Sequence, residues 1–129
     1  MKREVVQTDK APLPVGPYNQ AVKANGFVFC AGQIPLDAKT GAMIEGSVAD
    51  QTRVVLNNLK AVLEASGSSL KNIVKTTVFL KDMNTFAEMN KVYTEFFADA
   101  AQAPARSTIE VARLPKDARV EIEAVALVV

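Results

Sequence analysis

Arg106, Glu121 and Glu123 are candidate residues for chemistry in this sequence, and the sequence alone does not decide between the two glutamates, which share one face of a predicted strand. Strand-like alternation from residue 105 onwards places Arg106, Thr108 and Glu110 on one face. A guanidinium can bind a carboxylate through two parallel hydrogen bonds, and a partly desolvated glutamate within a strand can act as a general acid or base. The residues alone leave ordinary alternatives open: a surface ion pair of Arg106 with Glu110 or Glu121, and a solvent-facing Glu121.

Three further residues could contact a small ligand. Tyr18 ends a stiff, proline-rich segment and could form an aromatic wall or fill the core. Asn90 lies within the apolar stripe of a predicted helix, where a buried amide needs hydrogen-bond partners, or at the edge of that stripe. Gly32 follows an apolar strand and suggests a close backbone approach, and the neighbouring Cys30 is predicted to be a small buried side chain.

Composition excludes several classes of function. The 129 residues contain no histidine and one cysteine, which excludes Ser-His-Asp triads, zinc sites with imidazole ligands, intrachain disulfides and iron–sulfur clusters. We therefore predict no metal site. Fifteen basic against fourteen acidic residues, 6% aromatic residues and no tryptophan argue against a nucleic-acid partner.

The length predicts a single domain over residues 1–129. The first nine residues contain no apolar segment of the kind found in secretion signals. The longest purely apolar run, Ala124–Val129, is too short to span a membrane. These features predict a cytoplasmic protein without a membrane partner.

Gly, Pro and hydrophobic periodicity divide the chain into six strands and two helices. Ser47 with Asp50 predicts the start of the first helix, Gly67 its end, and Asn25-Gly26 a hairpin turn. The predicted strands are Arg3–Gln7, Gln20–Lys23, Phe27–Gly32, Ile73–Lys81, Ala105–Ala112 and Ala118–Val129, and the helices are Ser47–Ser66 and Asn84–Phe97. This order predicts an α+β fold, a mixed β-sheet with two helices on one face.

The face of the sheet without helices is predicted to be partly apolar. Alternation along the last strand places Val125 and Leu127 on this face together with Glu121 and Glu123. Along the strand from residue 73, it places Lys75, Thr77 and Phe79 there, and Val74, Val78 and Leu80 on the helix side. Because apolar side chains line up on the uncovered face, we predict that it packs against another copy of the chain.

Taken together, several segments resemble the RidA/YjgF-like family of reactive-intermediate deaminases. The matching segments are Gly16-Pro17-Tyr18, Ala31-Gly32-Gln33-Ile34-Pro35, Val74 through Met83, Phe86 through Phe97, and Pro104-Ala105-Arg106-Ser107 through Glu121-Ile122-Glu123-Ala124. The resemblance covers nearly the whole chain in order. It implies a chorismate-mutase-like α+β domain that forms homotrimers around a barrel-like core, with ligand clefts between subunits.

The resemblance also implies an activity. Active members of the family hydrolyse enamines and imines (2-aminoacrylate, 2-iminopropanoate and 2-iminobutanoate) released by pyridoxal-phosphate enzymes, giving 2-keto acids and ammonia without a cofactor. By analogy, Arg106 binds the substrate carboxylate and Glu121 positions the attacking water. Tyr18, Gly32 and Asn90 match residues of the family's ligand cleft.

Thr108 stands where many members have cysteine. Its backbone groups are expected to face the ligand as in the family, but any role of a thiol is lost. Two alternatives to the deaminase remain: an endoribonuclease or translation inhibitor, as some members have been described, and a non-catalytic metabolite-binding or chaperone-like module.

Overall fold

The computed structural model describes residues 2–129. Its strands are β1 Arg3–Val6, β2 Ala21–Ala24, β3 Phe27–Gln33, β4 Ile73–Leu80, β5 Ala105–Glu110 and β6 Val120–Leu127. Its two α-helices are α1 Val48–Ala65 and α2 Phe86–Phe96. Short 3-10 turns precede α2 at Met83–Thr85 and β6 at Pro115–Asp117.

The six strands form one sheet in the order β1-β2-β3-β6-β4-β5. The β4–β5 pair is parallel and the other neighbouring pairs are antiparallel, so the sheet is mixed. Helices α1 and α2 pack against each other, and α1 packs on β3 and β6. The predicted α+β fold is confirmed.

Local signals explain why α1 and the first hairpin form where they do. The Ser47 side chain accepts a hydrogen bond from the Asp50 amide, and the Asp50 carboxylate accepts one from the Ser47 amide. Asn25 and Gly26 have φ angles of 52° and 81°, as a two-residue turn of a right-twisted hairpin requires. Both predictions are confirmed to within a few residues.

The core lies between the helices and one face of the sheet. The face of α1 that meets the sheet is apolar and fully buried, and every second residue of β6 lies beneath it. The largest fully buried apolar side chains are Leu56, Leu59, Leu63, Leu80, Met89 and Ile122. This packing fixes which side chains of β6 point inward, and therefore which point away from the helices.

Two predictions of detail are wrong. The pairing of β4 with β6 shifts register between Ile73 and Lys75, so Ile73 and Thr76 are buried while Val74 is 41% exposed instead of facing inward with Val78. Helix α2 begins at Phe86 rather than Asn84. The Asp82 side chain accepts a hydrogen bond from the Asn84 amide and holds the preceding residues in a 3-10 turn.

The opposite face of the sheet carries no helix. Phe29 and Leu127, on the neighbouring strands β3 and β6, are 48% and 42% exposed, and Ile109 of β5 is 44% exposed. We call this surface the open face. Its packing against other copies remains a prediction.

The described residues lack two features that other protein classes use. Neither described helix is long and apolar enough to serve as a membrane span. Within residues 2–129, no three His, Cys, Asp or Glu side chains are grouped closely enough to hold a metal ion.

Candidate active site

A cavity of about 400 Å³ lies at the edge of the open face, where β3 meets the start of β6. We call it the glutamate cavity because Glu121 is its acidic residue. The other side chains that line it are mainly apolar. Its lining residues are Pro12, Leu13, Val15, Tyr18, Gln20, Ala31, Gly32, Gln33, Ile34, Leu36, Pro115, Lys116 and Glu121.

Gly32 is in direct contact with the Glu121 carboxylate. A Cβ atom built on Gly32 would lie 2.8 Å from Glu121 Cδ and would overlap Oε2. Any side chain at position 32 would therefore displace the carboxylate. The close approach predicted for Gly32 is confirmed, and the group that approaches it within the chain is Glu121.

The surroundings of Glu121 favour its protonated form. Partial burial raises the pKa of the Glu121 carboxyl above its usual value, and the nearby negative charge of Glu123 raises it further. Glu121 forms no ion pair with any residue in the described part of the chain. A carboxylate with a raised pKa is a stronger base than an ordinary glutamate, which suits a group that takes a proton from water.

The turn before β6 forms part of the rim of the glutamate cavity. Lys116 and Asp117 have φ angles of 54° and 57°, in the left-handed region that residues other than glycine rarely adopt. The Lys81 ammonium lies 3.0 Å from the Asp117 carboxylate. This ion pair ties the strained turn to the end of β4.

A second cavity, of about 450 Å³, lies between α2 and the start of β5. We call it the arginine cavity. Arg106 Nη1 donates a hydrogen bond of 2.7 Å to Asn90 Oδ1. The guanidinium carbon lies 4.6 Å from the centre of the Tyr93 ring and 5.5 Å from that of Phe86. The cation is therefore held by one amide and two aromatic rings, and no carboxylate of residues 2–129 lies within ion-pair distance of it.

Tyr93 fixes one wall of this cavity. Its hydroxyl forms a 2.7 Å hydrogen bond with the Thr76 hydroxyl inside the core, and burial raises the pKa of the tyrosine. Phe97 packs against the Tyr93 ring, with ring centres 4.6 Å apart. The ring that lies against Arg106 is thus anchored from behind.

Arg106 and Glu121 lie on opposite faces of the sheet. Arg106 pairs with Thr76, which is buried under α2, whereas Glu121 pairs with Phe79. Thr76 and Phe79 are three positions apart on β4, so their side chains point to opposite sides. Strand β4 also separates β5 from β6. A single chain therefore does not bring the two groups together.

These contacts decide several of the alternatives left open by the sequence. Arg106 pairs with Asn90 and not with a glutamate, so the surface ion pair is wrong and Asn90 has its partner. Tyr18 is 49% exposed and lines the glutamate cavity, so it does not fill the core. Thr108 points toward the helix side, opposite Val78, and lines neither cavity.

Cys30 is buried, as predicted. Desolvation raises the pKa of its thiol to about 12, which keeps the thiol protonated and unreactive.

The sequence and the fold of this chain both match those of known proteins. The family model described as endoribonuclease L-PSP matches residues 8–128. The chain belongs to the RidA/YjgF family. Its fold is also that of solved structures from this family: the YjgF gene product of E. coli superposes with a TM-score of 0.89 at 48% identity.

Relatives of the chain in this family carry different names. A RutC family protein of Pyrococcus horikoshii is 57% identical over 96% of this chain and 97% of its own length. The 2-iminobutanoate/2-iminopropanoate deaminase of Salmonella typhimurium is 50% identical, over 96% of this chain and 97% of its own. The crystal structure of E. coli TdcF with bound serine superposes with a TM-score of 0.89 at 46% identity and covers 96% of this chain and 98% of TdcF.

Sequence reasoning missed residues that shape both cavities of this RidA/YjgF chain. Gln20, which is 2% exposed, makes hydrogen bonds that hold the segment next to the glutamate cavity. The left-handed Lys116 forms part of the rim of that cavity, and the Tyr93 ring contacts Arg106. A glutamine before an apolar strand carries no special signal in the sequence, and the contact with Tyr93 depends on how α2 crosses β5.

Proposed function

We propose that the protein hydrolyses small 2-imino acids and their enamine tautomers to 2-oxo acids and ammonia. Arg106 binds the substrate carboxylate, and Glu121 activates the water that attacks the imine carbon. The observation that carries the proposal is the pair of cavities, in which Arg106 and Glu121 each form no ion pair with any residue of the described range 2–129. A substrate with an anionic end and an electrophilic C=N carbon complements both groups.

The proposed chemistry needs one proton carrier. Glu121 takes a proton from water as the water oxygen bonds to the carbon of the protonated imine, which gives a neutral tetrahedral carbinolamine. The protonated Glu121 then gives this proton to the amino nitrogen. As the C–N bond breaks and ammonia leaves, Glu121 takes the hydroxyl proton, the C=O bond forms, and the proton then passes to ammonia or water. A raised pKa of the Glu121 carboxyl suits the first transfer, because the carboxylate is then a stronger base toward water.

The complete site requires two chains. Because Arg106 and Glu121 face opposite sides of one sheet, the arginine cavity of one protomer has to meet the glutamate cavity of another. We infer a homotrimer in which the open faces pack together into a barrel-like core and each cleft lies between neighbours. The exposed Phe29, Ile109 and Leu127 side chains give these faces an apolar surface to bury.

Two relatives support this substrate class. One is named a 2-iminobutanoate/2-iminopropanoate deaminase. The TdcF structure contains serine, in which a carboxylate and an amino group are bonded to the same carbon. An amino acid of this size resembles the imino acid in both groups that Arg106 and Glu121 address.

The first experiment measures 2-oxo acid release from imine generated by a serine or threonine dehydratase, with and without the purified protein. We expect Arg106→Ala to lower kcat/KM about 100-fold, mainly through KM, since the carboxylate loses its anchor. Arg53→Ala is the matched control, because it removes an exposed arginine whose partner is Glu95. An Arg106→Ala protein as active as the parent would contradict the anchor role.

A mixing experiment tests the shared cleft. Arg106→Ala and Glu121→Gln chains are each expected to keep at most about one hundredth of the parent activity, but unfolding and refolding them together produces mixed assemblies. If each cleft takes its arginine from one chain and its glutamate from another, random assembly restores about a quarter of the clefts. A site within one chain would give no recovery at any mixing ratio.

The parent protein and the Arg106→Ala and Glu121→Gln variants also test the two alternative functions, an endoribonuclease and a metabolite-binding module. The family model is described as an endoribonuclease, so RNA cleavage is assayed with the parent and with both variants. The net charge of +1 gives little electrostatic attraction for a polyanion. Cleavage that persists in Glu121→Gln belongs to a contaminant or to a different site, and binding of 2-oxo acids without any turnover would favour a metabolite-binding module.

A further inference from the structure

One wall of the glutamate cavity presents apolar side chains outward. Leu13 and Val15 line the cavity and are 54% and 73% exposed, on a segment that contains Pro12, Pro14 and Pro17. We call residues 11–18 the wall segment. A cavity of about 400 Å³ is more space than an imino acid of three carbons needs.

The wall segment is held by one buried amide. Gln20 Nε2 lies 2.8 Å from the Pro12 carbonyl oxygen, 3.2 Å from that of Ala11 and 3.0 Å from that of Thr8. Gln20 Oε1 accepts a 2.7 Å hydrogen bond from the Thr8 amide. With these contacts at one end and the prolines within it, the segment is fixed relative to Glu121 before any ligand binds.

We propose that Leu13 and Val15, held in place by Gln20, determine which substrate side chain the site accepts and favour a longer apolar one. The inference rests on the proposed function and specifies its substrates as 2-imino acids with an apolar side chain of three or four carbons. The carboxylate and the imine are common to all substrates of the site, so discrimination depends on what the side chain touches.

The wall gives a physical reason for this preference. Each CH₂ group transferred from water to an apolar surface strengthens binding by up to roughly fourfold. Pyruvate has only a methyl group to bury, whereas 4-methyl-2-oxopentanoate has an isobutyl group. Because Leu13 and Val15 remain partly exposed in the cavity, only part of that gain is expected, and the larger acid should bind about tenfold more tightly.

Binding is measured by titration calorimetry with pyruvate and with 4-methyl-2-oxopentanoate, the 2-oxo acids that the proposed reaction would release. The double variant with Leu13→Ser and Val15→Ser should reduce the tenfold difference to about twofold by weakening only the larger acid. Val129→Ser is the matched control, because Val129 is 85% exposed and lines no part of this cavity. It should leave both affinities unchanged.

The positioning role of Gln20 is tested with Gln20→Met, which keeps the length of the side chain and removes its hydrogen bonds. Gln51→Met is the control, because Gln51 is also buried and also makes two side-chain hydrogen bonds, to Ile44 and Arg119. Both variants should lower the thermal midpoint. Only Gln20→Met should also reduce the affinity ratio of the two acids, which a purely structural role would not change.

The outcomes separate this inference from the proposed function. Equal affinity of the parent protein for the two acids, or an unchanged ratio in the double serine variant, would overturn the role of the wall and leave the deaminase proposal intact. Failure of both acids to bind would contradict the proposed function and this inference with it. An unchanged ratio in Gln20→Met would remove Gln20 from the mechanism.

Discussion

The glutamate cavity and the arginine cavity prepare their charged groups in opposite ways. Glu121 is partly desolvated, lies against a glycine and has Glu123 nearby, so its surroundings resist the charged form. Arg106 keeps its charge and is held by an amide oxygen and two aromatic faces. The first arrangement suits a group that must exchange protons, and the second suits a permanent cation that must bind an anion.

The largest expected effect tests the proton-transfer side of this comparison. Glu121→Gln keeps the shape of the side chain and removes its basicity, so kcat should fall about 1,000-fold while KM changes little. Steady-state kinetics on dehydratase-generated imine measures both constants. A Glu121→Gln variant with a raised KM and an unchanged kcat would mean that Glu121 binds substrate, as Arg106 does, and does not transfer protons.

A smaller loss is expected when the carboxylate is displaced but not removed. Gly32→Ala places a methyl group where the Glu121 carboxylate lies, so the base should be misaligned and kcat should fall about 100-fold. Gly16→Ala is the matched control, because a Cβ atom there meets only the Tyr18 ring at an ordinary 3.7 Å. Comparable losses in both variants would point to general damage to the fold.

Substitution of Asn90 in the arginine cavity should cost less activity than substitution of Glu121 or Gly32. Asn90→Ala removes the amide that orients Arg106 and leaves the two aromatic rings in place, so KM should rise about tenfold with kcat nearly unchanged. Thr94→Ala, one turn further along α2, removes only a hydroxyl bonded to the Asn90 carbonyl and should behave like the parent. A fall in kcat would show that Arg106 also takes part in the chemical step.

The smallest effect concerns the pH profile. Glu121 acts as a base only when ionised, so kcat/KM should fall as the pH decreases through its raised pKa. Glu123→Gln removes a negative charge that raises this pKa, and the acidic limb should therefore move to lower pH with the plateau retained. An acidic limb that does not move would mean that the limb belongs to another group.

The parts of the fold that follow local rules were predictable. Ser47 with Asp50 and Asn25 with Gly26 satisfy their hydrogen-bonding and φ requirements within four residues, so the sequence contains all the needed information. The register shift at Val74 was not predictable, because it arises from the pairing of β4 with a strand about 50 positions further along the chain. The alternation of apolar and polar residues along one strand gives no sign of such a shift.

The candidate site also has a part that the sequence predicts and a part that only the folded structure shows. The family resemblance identified Arg106, Glu121 and Tyr18 by their motifs, but only strand order and parity show that Arg106 and Glu121 point away from each other. Gln20 was missed because its role depends on three carbonyl groups, of Thr8, Ala11 and Pro12, that only the folded chain brings together. The backbone role of Thr108 toward a ligand remains a prediction.

The left-handed turn at Lys116 and Asp117 has a consequence for the whole molecule. Two successive residues in this region together cost about 2–6 kcal/mol of folding free energy, and the Lys81–Asp117 ion pair, which is exposed, returns little of it. The rim beside Glu121 is therefore shaped at the expense of resistance to heat. Glycine at position 116 would relax the turn and raise the thermal midpoint, with a rim beside Glu121 that is less firmly fixed.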